Sequence, residues 1–249
     1  MELNTIDTAV TKEIRTDGSI LIRSTVPLEP TAHRLTQHLA LWANVRPAKV
    51  FLAQPSKRTT NKDQWESLTY SDAFEKIKNI SQALLNRNLS ADRPVVVLSG
   101  NSIEHALIAL ACLHVGIPFS ALAPAYSLRS AEFDKLKHVF HLLTPGLIFV
   151  DNGSQYEKAL AGVAGDLEVV SLVPPKGNFN YTPFNDLLKI SAGGSVEAAH
   201  RAITADSMAK ILFTSGTTGL PKGVINTHGN LTTNLQQITQ TFPFLRDED

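Results

Sequence analysis

Cysteine is nearly missing from this chain: of 249 residues only Cys112 carries a thiol. It sits in the apolar run Ala109-Leu110-Ala111-Cys112-Leu113 and reads as a core residue of a reducing compartment rather than a nucleophile or half of a bridge. An excess of charge of either sign is also missing, with 23 Lys and Arg against 23 Asp and Glu. Without a basic block, neither nucleic acid nor an anionic membrane surface is expected as a partner. Long apolar runs are absent too. The longest, Ala106 to Leu113, is broken by His114, Gly116 and Pro118, and the N-terminus carries Glu2, Asp7, Lys12 and Glu13 with no hydrophobic stretch. No segment therefore reads as a membrane span or targeting peptide, and the expected location is the cytoplasm. No internal repeat is visible.

What is present is a soluble α/β pattern. The 43% hydrophobic content suffices for a sizeable core. Asp17-Gly18 between Glu13-Ile14-Arg15 and Ile20-Leu21-Ile22 signals a hairpin. Leu35, Leu39 and Trp42 recur at helical spacing after Pro30 and stop before Pro47. Strands are expected over Lys49 to Ala53 and Trp65 to Tyr70, then a helix capped by Ser71 that buries Phe74, Ile77, Ile80 and Leu84. From there strands and helices alternate: a Val-rich strand at Pro94 to Leu98; a helix from Ser102 to Val115, with Asn101 and Glu104 as a capping pair and Gly116 as its end; a strand at Phe119 to Leu122; a helix from Ser130 to Leu142; a strand at Leu147 to Val150; a helix near Gln155 to Leu160; and a strand at Val169 to Leu172. This order implies a mostly parallel sheet with helices on both faces. Pro174 to Thr204, with few large apolar residues outside Phe184 to Ile190, reads as a long surface excursion.

The chemistry concentrates in Ile211-Leu212-Phe213-Thr214-Ser215-Gly216-Thr217-Thr218-Gly219-Leu220-Pro221-Lys222-Gly223. A strand-like run opens into hydroxyls interleaved with glycines and closes on a proline that stiffens the approach to a lysine. Glycines let successive backbone N–H groups turn toward one anion, hydroxyls add neutral donors, and the ammonium supplies a point charge, which together suit a triphosphate. The alternative is a polar hairpin turn. Walker A does not fit, because Gly223 follows the lysine and the glycine spacing differs. Ser207-Met208-Ala209-Lys210 has the spacing of the β-lactamase nucleophile, but a strand follows where a helix is required, and the lipase elbow fails because Phe213 and Thr217 occupy its glycine positions. His138 and His141 lack a Cys or carboxylate pattern for zinc and read as surface or partly buried helix residues.

Thr214 to Gly223, followed by Thr227-His228-Gly229-Asn230, resembles the signature loop of the adenylate-forming acyl-CoA synthetase (AMP-binding) superfamily. The resemblance implies part of the large N-terminal domain of an adenylate-forming enzyme: the loop residues Thr214, Ser215, Gly216, Thr217, Thr218, Gly219 and Lys222 hold the β- and γ-phosphates of ATP, Lys222 and His228 serve the reaction, and one of Thr214, Thr217 and Thr218, which the sequence does not rank, approaches Mg²⁺. An acyl-adenylate forms, and CoA then displaces AMP. Ser99-Gly100-Asn101-Ser102 and Ala123-Pro124-Ala125-Tyr126-Ser127 look like earlier landmarks of these enzymes. Val26 to Pro30, Arg34-Leu35-Thr36, Trp42, Lys135 to His138 and Leu142 to Leu147 are similar to feruloyl-CoA synthases, which implies a hydroxycinnamic acid such as ferulate as the small-molecule carboxylic acid. The alternatives are a ligase adenylating a fatty acid or acting for a carrier protein, or a noncatalytic nucleotide-binding remnant. The resemblance also implies that residues 1–249 are an incomplete N-terminal AMP-binding domain, the C-terminal remainder absent, and that this fragment alone makes no thioester. Oligomeric state and the CoA-binding residues are not legible.

Overall fold

The computed structural model describes residues 9–56, 64–129, 132–214 and 219–247. Two small antiparallel ribbons come first. β1 (Val10–Ile14) and β2 (Ile20–Ser24) pair around Asp17-Gly18, where Gly18 takes φ +82° and Asp17 Oδ1 accepts the Ser19 N–H at 2.9 Å. After α1 (Thr36–Val45), β3 (Val50–Pro55) pairs with β4 (Trp65–Thr69). The main body then runs α2 (Tyr70–Leu85), β5 (Val95–Leu98), α3 (Ile103–Val115), β6 (Phe119–Ala121), α4 (Pro124–Leu128), α5 (Asp134–Leu143), β7 (Leu147–Asn152), α6 (Gly153–Val163), β8 (Glu168–Val173), β9 (Tyr181–Pro183), α7 (Phe184–Leu188), α8 (Gly194–Ala202), β10 (Met208–Thr214), β11 (Lys222–Thr227), α9 (His228–Thr241) and α10 (Phe244–Asp247).

The central sheet has seven strands in the order β11-β10-β6-β5-β7-β8-β9, all parallel except β11, which turns back antiparallel on β10. At its centre, β5 (VVVL) and the first four residues of β7 (LIFV) are apolar and buried at every position because both faces are covered. Val95 and Val97 of β5, with Leu147 and Phe149 of β7, pack toward α2, α3, α7 and α8. Val96, Leu98, Ile148 and Val150 face the opposite way, toward α5 and α6. Full burial of each such side chain stabilises the fold by about 1.5–3 kcal/mol, which makes β5 and β7 the centre of the structure.

Helix boundaries follow from local hydrogen bonds, and two differ from the sequence expectation. The α2 cap is Thr69, whose hydroxyl accepts from Asp72 N at 3.1 Å, while Ser71 lies inside the first turn. The α3 cap is Ser102, extended at φ −157° and accepting from His105 N at 3.1 Å, in place of Asn101 with Glu104. Gly116 ends α3 in the left-handed region, as expected. Of the expected Ser130 to Leu142 helix, Ser130 lies outside the described residues and α5 begins at Asp134.

The larger correction concerns 174–204, which is part of the body. β9 extends the sheet beyond β8, and Phe184, Leu187 and Val196 are buried in the same core as α2 and α3. Few apolar residues suffice because each is spaced to reach one face of a short helix. No helix among the described residues is long and apolar enough to cross a membrane.

Candidate functional site

The loop predicted to hold phosphate connects β10 to β11. Thr214 closes β10 opposite Lys222, which opens β11, and the pair Phe213 and Gly223 stands one step inside. Gly223 is needed for close approach: a Cβ there would sit 3.2 Å from Ile211 Cγ2 and 3.4 Å from Phe213 Cζ. β10 runs parallel to β6, and the buried Ser120 hydroxyl of β6 donates to Ile211 O at 2.7 Å. The loop thus leaves from the carboxyl end of a parallel strand, the end at which such sheets bind ligands. Ser215, Gly216, Thr217 and Thr218 lie outside the described residues; Gly219 is exposed.

The exit arm of the loop is anchored from α5. Pro221 is buried, and His138 Nε2 lies 3.1 Å from the Pro221 carbonyl, so that nitrogen carries the proton and donates. No local sequence pattern assigns this contact to His138. Lys222 is exposed, and among the described residues no carboxylate lies within ion-pairing distance of it. An unneutralised ammonium beside Thr214 and Gly219 fits a polyanion. Between α5 and the hairpin runs a groove of about 770 Å³. Leu142, Ile211, Phe213, Leu220 and Ile225 line it, with Lys222 and His138 toward the carboxyl end of β10 and Asp92 toward the amino end.

Other polar groups gather at the carboxyl ends of the central strands. Ser99, directly after β5, is 4% exposed and its hydroxyl donates to Gly100 O at 3.0 Å. That leaves the His105 Nδ1–H to donate to Ser99 Oγ at 2.8 Å, with Gly100 O 3.1 Å away. His105, in the first turn of α3, is therefore held in one tautomer with Nε2 left as an acceptor. The only sequence signal was a histidine six positions after a strand-end serine. Beside it in the same layer, Ser127 Oγ and Asp151 Oδ1 are buried without a hydrogen-bond partner among the described residues.

His228 stands at the opposite end of the hairpin from Thr214 and Lys222. It is the first residue of α9, whose start is set by a reciprocal pair: the Thr227 hydroxyl accepts from Asn230 N at 3.2 Å and Asn230 Oδ1 accepts from Thr227 N at 2.9 Å. Thr227 pairs with Met208 at the foot of the hairpin, whereas Lys222 stands at its top. At about 3.3 Å per residue along β11, Thr227 and Lys222 are separated by about 16 Å. The His228 ring is fully buried and neither nitrogen has a partner among the described residues. Burial, helped by His200 and Arg34, pushes its pKa down to about 4, so the ring is neutral at physiological pH.

For the metal, no group of three or more His, Cys, Asp or Glu among the described residues could hold an ion.

Comparison with known proteins supplies the rest. The family model described as AMP-binding enzyme matches residues 39–249. The long-chain-fatty-acid–CoA ligase ACSBG2 of Mus musculus is 28% identical over 194 residues, which is 74% of this chain and 28% of that protein. The acyl-CoA ligase sidI of Beauveria bassiana is 28% identical over 178 residues, 67% of this chain and 29% of that protein. This chain thus spans less than a third of the length of either relative. Among solved structures, the fatty acyl-adenylate ligase from L. pneumophila, in complex with acyl adenylate and pyrophosphate, superposes with a TM-score of 0.61 at 19% identity, over 87% of this chain and 35% of that one. A putative long-chain-fatty-acid CoA ligase from Rhodopseudomonas palustris gives 0.64 at 19% identity, over 83% and 47%. These two likenesses establish the fold: an α/β domain with a mostly parallel sheet, as in the N-terminal domains of adenylate-forming enzymes.

Proposed function

The chain belongs to the AMP-binding enzyme family, that of acyl-CoA ligases and other adenylate-forming enzymes, and from that membership we propose that it carries the triphosphate-binding part of an ATP-dependent acid-CoA ligase. In this reading a carboxylate oxygen attacks the α-phosphorus of ATP, pyrophosphate leaves, and the thiol of CoA then displaces AMP to give the thioester. The chain's contribution is to hold the leaving pyrophosphate. Backbone N–H groups and hydroxyls from Thr214 to Gly219 and the ammonium of Lys222 would face its β- and γ-oxygens, where negative charge grows as the bond to the α-phosphorus breaks. Water-filled surroundings would weaken each contact, so the buried Pro221 and its hydrogen bond from His138 matter by keeping the arm in place. Mg²⁺ would arrive with the nucleotide. His228 is buried at the foot of the hairpin, and its part in this reading would be to seat α9.

The observation that carries this reading is the pairing of Lys222 with Thr214 across the mouth of a hairpin at the carboxyl end of β10, with no carboxylate among the described residues to neutralise the lysine. Two acid classes have support. The feruloyl-synthase-like landmarks favour a hydroxycinnamic acid, and the relatives named as long-chain fatty-acid ligases favour an alkyl acid. Thioester formation by the full-length protein from a panel of both, with ATP and CoA, separates them. Faster turnover of ferulate supports the first class. Equal or better turnover of long-chain fatty acids assigns the second, because a pocket built for a phenol leaves its polar partner unpaired with an alkyl chain. No turnover of any acid would sink the ligase reading.

A further inference from the structure

Two histidines, His114 and His200, meet on the α2–α3 side of the sheet, and a third, His228, lies within electrostatic range of His200. His114 of α3 is 1% exposed and stacks on His200 of α8, with ring centroids 4.2 Å apart and planes 26° from parallel. His114 Nδ1 lies 3.1 Å from the buried Thr36 hydroxyl, and Phe74 of α2 meets the ring edge-on at 5.5 Å. His200 Nδ1–H donates to the His114 carbonyl at 2.9 Å, and Arg34, just before α1, donates from Nη1 to the His200 carbonyl at 2.8 Å. One polar network therefore joins α1, α3 and α8, and it uses Arg34 and Thr36, two of the landmark residues for which the sequence offered no task.

The network also reaches the hairpin. His228 begins α9 within electrostatic range of His200 and Arg34. Its backbone N–H donates to Ser207 O at 2.9 Å, and the Gly229 N–H to Ala205 O at 2.7 Å, which fixes the helix to the segment leading into β10. His114 Nε2, both His228 ring nitrogens and Arg34 Nε are buried with no partner among the described residues. A proton added to His114 or His228 would thus be left in the interior without an acceptor. The charged groups facing the cluster are Lys78 from α2, Arg34 from the entry to α1, and Glu197 one turn before His200 on α8. Two cations against one carboxylate oppose protonation.

We propose that His114, His200 and His228 form an acid-released clasp, which when neutral holds α1, α3, α8 and the start of α9 together and when protonated frees the foot of the hairpin that carries Lys222. Only the consequence for Lys222 rests on the phosphate-loop reading; the clasp itself does not. Burial first, then His200, Lys78 and Arg34, push His114 down to about 3, and His228 is pushed down to about 4, while His200 is lowered chiefly by burial. On opening, each regains its ordinary value of 6.5. The closed form binds fewer protons than the open one, so the clasp is fully stable above that value and weakens as pH falls from there toward 4. Between pH 7.5 and 5.5 the opening constant rises about tenfold for each such imidazole, hence about a hundredfold for His114 and His228 together.

Hydrogen–deuterium exchange, corrected for the intrinsic effect of pH, tests this on the chain and on His114→Gln, which keeps a group able to bond Thr36 but cannot titrate. Protection of peptides from α3, α8 and α9 should fall by about a hundredfold between pH 7.5 and 5.5 relative to β5 and β7, and by about tenfold less in the variant. His200→Gln, at a partly exposed ring, gives a second reading should His114→Gln fail to fold, and it should likewise flatten the pH dependence. Equal pH dependence in wild type and variant, or loss of protection spread evenly over β5 and β7, would overturn the clasp. An intact clasp with Lys222-independent nucleotide binding would overturn the phosphate reading alone.

Discussion

Glu168 at the start of β8 is the residue whose replacement should reveal most about how the far side of the sheet is held. Its carboxylate receives Arg87 Nε at 2.7 Å on Oε2 and Arg87 Nη2 at 2.6 Å on Oε1, and the Thr182 hydroxyl of β9 donates to Oε1 at 2.7 Å. Arg87 also donates from Nη1 to Ala83 O at 2.6 Å, so one guanidinium ties the end of α2 to β8 and, through Glu168, to β9. Glu168→Gln keeps the size but removes the charge and turns one acceptor into an NH₂ facing a donor. Breaking a fully buried pair costs about 3–5 kcal/mol. Here the two side chains keep 23% and 20% of their exposure, and the stranded guanidinium is partly solvated, so the expected loss is about 2 kcal/mol. Urea unfolding at pH 7 measures it, with Arg87→Met closing a double-mutant cycle. Burial alone would raise the Glu168 carboxyl, but hydrogen bonds from Arg87 and Thr182 and the guanidinium charge outweigh it and hold it below its ordinary 4.5. The contribution is therefore complete above that value and lost as pH falls below it, so the gap between wild type and variant should shrink as the solution is acidified below 4.5. A loss under about 0.5 kcal/mol at pH 7, the scale of an unremarkable surface change, or a gap that does not shrink in acid, would refute the reasoning.

Two further outcomes follow from packing. Gly153, where β7 passes into α6, has Pro175 N 2.5 Å and Val173 O 2.7 Å from the site of an added Cβ; because the obstacle is backbone, Gly153→Ala should destabilise by about 1–3 kcal/mol, and an unchanged unfolding midpoint would contradict that contact. Cys112 is fully buried, and burial pushes its thiol far above the ordinary range, so it should resist alkylation in the native chain and react once the chain is unfolded in urea; rapid native labelling would show the core to be open.

The parallel sheet was legible because β5 and residues 147–150 of β7 are continuous apolar runs, separated by helices with clear ends, such as α3 closing on Gly116. Residues 174–204 were not, since the four apolar side chains that bury there, Phe184, Leu187, Val196 and Ile203, are too few and too scattered to make a periodic pattern in a polar stretch. Caps shifted by a residue or two because serine, threonine and asparagine neighbours compete for the same N–H, and only backbone angle decides among them. The phosphate loop declared itself through a contiguous run of residues, whereas His138 meets Pro221 across 83 positions and Ser99 meets His105 through a turn, contacts no local pattern encodes. His228 sits next to the loop in sequence, yet an extended β11 carries it to the opposite end of the hairpin.

The central claim, that Lys222 holds the pyrophosphate end of ATP, is tested most directly by exchange of labelled pyrophosphate into ATP by the full-length protein and its Lys222→Ala variant, in the presence of an accepted acid. Lys222 is exposed, so the substitution should leave the fold intact. Loss of a charge that follows the phosphoryl oxygens into the transition state should slow exchange by about two to three decades. An unchanged exchange rate in the variant would mean that the segment from Thr214 to Gly223 is only a turn between two strands.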